Sequence, residues 1–74
     1  MGEAAMRATT DLAGALAMLQ TVQNPDATFI RGLRLVRLAT LQEARLGYRS
    51  DNVETWVRWG FRILSRWAIA NRIH

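Results

Sequence analysis

Seventy-four residues make one domain, close to the smallest that a single hydrophobic core stabilises unaided, and ten basic against six acidic residues give a net charge of +4. There is no cysteine, which removes disulfides, thiolate nucleophiles and cysteine-ligated metal together. The lone histidine, His74, supplies neither a metal cluster nor a positioned base, so no metal and no cofactor is expected. The first residues, Met1-Gly2-Glu3-Ala4-Ala5-Met6, lack the basic stretch and apolar run of an export signal, and Met6 breaks the myristoylation pattern that Gly2 would begin. No apolar run approaches the length of a bilayer span, so a cytoplasmic protein with no membrane span is expected.

In chain order, the residues from about Glu3 to Val22 are helix formers with Ala5, Ala8, Leu12, Ala15, Leu16, Leu19 and Val22 at the spacing of one helical face. Arg7 and Asp11 form an i,i+4 pair on its polar side. Gln23-Asn24-Pro25-Asp26 ends this helix and begins the next, with Asn24 as a cap, Pro25 in the first turn and Asp26 favoured by the helix dipole. The second helix runs to Leu46, where Gly47 can adopt the left-handed conformation that terminates helices. Tyr48-Arg49-Ser50 turns the chain, Ser50 or Asp51 caps the third helix, and Asp51 with Glu54 has capping-box spacing. That helix continues to about Arg72. The fold expected is all-α, a three-helix protomer with helices at about 3–22, 25–46 and 51–72 in a single domain, 1–74.

The second and third helices are broader in apolar character than a lone bundle requires. Val53, Trp56, Val57, Trp59, Gly60, Phe61, Ile63, Leu64, Trp67, Ala68 and Ala70 cover an arc of roughly 200°, where a surface helix needs little more than 100°. Phe29, Ile30, Leu33, Leu35, Val36, Ala39, Leu41, Ala44 and Leu46 wrap most of the second helix, with Arg37 and Glu43 inside the arc. A short, alanine-rich first helix covers only part of two such faces. A homodimer sharing its second and third helices is therefore expected, with Trp56, Gly60, Ile63 and Trp67 at the interface. Gly14, Gly32 and Gly60 each cost about 1 kcal/mol against alanine within a helix, which close helix crossing would offset.

Every basic residue is an arginine, and nine of the ten lie beyond Asp26. Arg58, Arg62, Arg66 and Arg72 form a ridge on the third helix, and Arg31, Arg34 and Arg45 a strip on the second. Trp59 stands at the edge of the apolar arc, one turn from Arg62, where it can stack on a guanidinium, a partner's side chain or a base. The carboxylates lie mostly at helix starts, no nucleophile has a base beside it, and no glycine-rich phosphate loop exists, so catalysis is not expected. The turn at Gly47–Ser50 has helix-turn-helix length, yet Val53, Trp56 and Val57 occupy positions where a recognition helix would carry polar readers. The function expected is a small adaptor or regulator, inhibitory modes included, that binds another protein through Trp59, Arg58, Arg62 and Arg66. The alternative is a basic helical nucleic-acid-binding protein, a transcriptional regulator for instance, holding phosphates with the arginine ridge.

Overall fold

A computed structural model describes residues 11–71. These form α1 (Leu12–Leu19), α2 (Ala27–Leu46) and α3 (Asp51–Ala70), with no strand among the described residues, as the all-α reading requires. Most of the first predicted helix, with Arg7 and its pairing to Asp11, lies outside them. Asp11 caps α1, its carboxylate accepting from the Gly14 amide at 3.0 Å. Gly14 thus sits beside its own cap, and a side chain there would meet the Asp11 carboxylate rather than another helix. The close crossing expected of all three glycines does not extend to it. The chain leaves α1 through i→i+3 bonds, Thr21 N to Met18 O at 3.1 Å and Val22 N to Leu19 O at 3.2 Å, so the α-helix stops three residues before the expected Val22.

The next boundary is two residues later than the sequence reading placed it. Asn24 takes a left-handed φ of 57°, a conformation asparagine tolerates better than most residues, and so makes the turn rather than the cap. Pro25 precedes the cap instead of opening the helix, and Asp26 is the cap, its carboxylate accepting from the Phe29 amide at 2.9 Å. Asp26→Ala should lower stability by about 1 kcal/mol, a shift that urea denaturation followed by circular dichroism will resolve. Gly47 ends α2 at φ 80°, its amide donating to the Glu43 carbonyl at 2.8 Å, which closes the turn predicted for it. Of the two candidate caps for α3, Ser50 takes the role and accepts from the Val53 amide at 3.3 Å, while Asp51 and Glu54 lie in the first turn. Asn71 closes α3 by donating from its amide and its side chain to the Trp67 carbonyl, both at 2.9 Å, so the helix ends at Ala70, and Arg72 lies outside the described residues.

Two long helices joined by a four-residue turn, 47–50, form an antiparallel hairpin, and α1 lies across one side of it. One buried cluster joins Leu12 of α1 and Ala39 of α2 to Val53 and Val57 of α3, with Trp56 and Phe61 packed against it. A second joins Phe29, Val36 and Leu64, flanked by Leu16, Leu19, Val22, Leu33 and Trp67. Phe29 and Trp67 meet with ring centroids 4.7 Å apart and planes tilted by 57°, within the contact distance of aromatic pairs. Between the clusters the two backbones come into contact through Gly32 and Gly60, where a Cβ on either would lie 3.1–3.2 Å from the other's carbonyl oxygen. No buried residue among those described is polar or charged, so the interior is held by burial and shape alone.

Candidate docking surface on the helical hairpin

The hairpin has two sides, and α1 covers one of them. Leu33 of α2 and Phe61 of α3 pack against the same buried cluster as Leu16, Leu19 and Val22, and we take them to mark the covered side. Two residues along an α-helix is about 200° of rotation, so Leu35 of α2 and both Trp59 and Ile63 of α3 fall on the opposite side. Leu35 also borders the seam with α3, its Cβ lying 3.2 Å from where a Gly60 side chain would begin. Leu35 and Ile63 are half-buried and form the floor of this side, while Leu38 and Trp59, each one turn along its helix from them, are 45% and 51% exposed.

The three tryptophans have separate fates. Trp56 packs half-buried against the first cluster, and Trp67 lies half-buried against Phe29. Trp59 keeps half its surface open, with the guanidinium of Arg62, also exposed, 5.5 Å from its ring centre in a cation–π contact. Arg58, Arg62 and Arg66 follow one another at i,i+4 spacing and are all exposed, as the ridge expected from the sequence, and Ile69 is exposed beyond them. The structure therefore places Trp59, Arg62 and Arg66 together on one edge, with Arg58 turned further outward.

The residues expected to meet a second subunit are distributed differently. Gly60 is buried against Gly32, Val36 and Leu35, so the helix it admits is α2 of its own chain. Trp67 and Trp56 are engaged within the protomer, and Ile63 is the one of the four that faces the uncovered side. On α2, Arg37 is exposed, whereas Glu43 accepts from Arg49 Nε at 2.7 Å across the turn, and Arg49 also lies 3.9 Å from Glu54. Both members of the closer pair are partly open to solvent, which limits its worth to about 1 kcal/mol at most. Sequence reasoning left Glu43 without a partner because the pairing depends on how the Gly47 turn aims the chain.

Several apolar residues counted in the wrap of the hairpin helices are in fact exposed, the large ones being Ile30 at 44%, Leu41 at 57%, Leu46 at 39% and Trp59. The chemistry that the surface offers is accordingly apolar contact edged by guanidinium groups. Among the described residues no group of three His, Asp or Glu side chains could hold a metal ion, and no helix is long and apolar enough to cross a membrane. Val53 and Val57 are buried and Trp56 is half-buried, which takes from α3 the side chains that a helix-turn-helix reader would present. No family model, no curated protein and no solved structure matches the chain.

Proposed function

We propose that this is a non-catalytic binding protein, an adaptor or regulator, whose docking surface is the uncovered side of the α2–α3 hairpin with Trp59 as its anchor. One observation carries the reading: two tryptophans are packed into the fold while Trp59 is left half-open under Arg62, beside Arg66 and at the edge of an apolar floor. A large, nearly rigid aromatic among arginines is the composition typical of energetic centres in protein interfaces. Trp59→Ala should change the stability of the isolated chain by less than about 1 kcal/mol, because the indole is not part of either buried cluster. In a co-purification comparison the wild type should retain a specific partner that Trp59→Ala and the Arg62→Ala/Arg66→Ala double variant lose, all three having equal helicity. Equal retention by all three would remove the reading.

Two other occupants have an observation in their favour. The floor of Leu35 and Ile63 supports a second copy of the chain, the homodimer expected from the sequence, and sedimentation equilibrium at high micromolar concentration tests it. The row of Arg58, Arg62 and Arg66 beside Trp59 supports nucleic acid, whose binding would fall steeply between low and moderate salt.

A further inference from the structure

Resting on that reading of the surface, we infer the chemical class of the partner: an amphipathic helix with an apolar stripe flanked by Asp or Glu. The inference comes from how charge is laid out along the hairpin. From Ala27 to Gln42 there is no acidic residue, and the charged side chains are Arg31, Arg34 and Arg37, all exposed. From Thr55 to Asn71 there is again no acidic residue, and the charges are Arg58, Arg62 and Arg66, all exposed. The antiparallel pairing sets these two stretches side by side, as Phe29 against Trp67 and Gly32 against Gly60 show. The described carboxylates lie elsewhere, Asp11 and Asp26 as caps and Glu43, Asp51 and Glu54 toward the connecting turn.

The uncovered apolar strip therefore runs between edges that are positive on both sides. On α2, Arg31 precedes Leu35 by one turn and Leu38 by two; on α3, Arg62 follows Trp59 by one turn and Arg66 follows Ile63 by one turn. A helix is the occupant that the geometry of the protomer itself models, because α1 already lies on the other side of the same hairpin through Leu12, Leu16 and Leu19. That helix carries no charged residue from Leu12 to Leu19. One lying on the uncovered side would pass between arginines, and carboxylates on its flanks would meet them with charge-assisted hydrogen bonds. Charge also ranks the alternatives. A second copy related by a two-fold axis would bring one arginine set toward its duplicate, a like-charge arrangement that complementary interfaces avoid. Duplex nucleic acid would satisfy the arginines but leave Leu35, Leu38 and Ile63 facing phosphates and sugars, with no apolar counterpart.

The test is a display library of helical peptides of about 18 residues, five turns, with Leu, Ile, Met, Phe or Ala on one stripe and Glu, Gln or Lys drawn at random at the flanking positions. It is selected on the full-length wild-type chain. Enrichment of Glu at the flanks is expected, in peptides that bind the wild type roughly tenfold or more tightly than Trp59→Ala and than Arg62→Ala/Arg66→Ala, both checked for native helicity. Affinity should also weaken as salt is raised. Peptides that require Trp59 but emerge with Gln or Lys at the flanks would overturn the acidic class and leave the docking surface standing. Enriched peptides indifferent to Trp59 and to both arginines, or no enrichment over the Trp59→Ala control, would overturn both. So would a chain that binds duplex DNA through these residues, or that sediments as a dimer with this side closed.

Discussion

Valine in place of Gly60 should unfold most of the protein. A Cβ at this position would lie 3.0 Å from Val36 Cγ2, 3.2 Å from the Leu35 Cβ and 3.2 Å from the Gly32 carbonyl oxygen. Reciprocally, a Cβ on Gly32 would lie 2.8 Å from Leu64 Cγ and 3.1 Å from the Gly60 carbonyl oxygen. A side-chain tip can swing away from such an intrusion, but a helix backbone yields only if the whole helix slides. Alanine at either position gains up to about 1 kcal/mol of helix propensity, against an overpacking penalty of about 1–3 kcal/mol, so the net effect should be destabilising. Valine adds two branched methyls to the same space, and the hairpin would have to open along its length, a loss expected to exceed about 3 kcal/mol. A chain of 74 residues has a total stability of roughly 4–11 kcal/mol, which makes that loss a large part of the whole. Urea melts should show Gly60→Ala shifted moderately and Gly60→Val with little or no native baseline. A Gly60→Val protein as stable as the wild type would mean that the helices do not cross here.

These two glycines were legible in the sequence, because a helix interior that accepts glycine against its propensity has usually gained a close neighbour. The third, Gly14, carried the same signal for a different reason, its place beside the Asp11 cap. The distinction was not available without knowing that the α-helix begins at Leu12. The turn from Gly47 to Ser50 was readable from residue chemistry alone, since left-handed glycine and a hydroxyl cap act locally. The boundary before α2 was less so: Asn24, Pro25 and Asp26 are each suited to a helix start, and only the reach of the Asp26 carboxylate to the Phe29 amide decides among them.

The candidate surface shows a similar division. A helical wheel measures how wide an apolar arc is, and it put Trp59 at the edge of that arc, where the structure leaves it half exposed while Trp56 and Trp67 are engaged. It does not say which part of the arc a neighbour will cover. Ile30 and Leu41 were counted with the rest of the wrap and are exposed, because α1 reaches the Leu33 edge of α2 and the hairpin partner takes Phe29, Gly32 and Val36. The excess apolar perimeter seen in the sequence is thus partly resolved within the protomer, by backbone contact at the glycines, and partly left on the side where Leu35, Leu38, Trp59 and Ile63 lie.

Phe29→Ala should have the other large effect, and it separates the aromatic that holds the fold from the one proposed to meet a partner. Phe29 is 1% exposed at the start of α2, packed with Val36, Leu64 and the ring of Trp67 near the end of α3. Truncating a buried phenylalanine to alanine costs about 3–5 kcal/mol, from lost burial and from the cavity that remains. In this protein the cavity would open at the free end of the hairpin, where no turn ties α2 to α3, and under the stretch in which Leu16, Leu19 and Val22 rest. Trp67 would lose its ring contact and gain water, so its emission should shift to the red as the far-ultraviolet helix signal falls. Trp59→Ala should leave the helix signal close to wild type and move the emission the other way, to the blue, because it removes the most exposed of the three indoles. If the two variants exchanged these outcomes, with Trp59→Ala unfolding the chain and Phe29→Ala leaving it intact, Trp59 would be the structural residue, and the uncovered side of the hairpin would have no anchor with which to hold a partner.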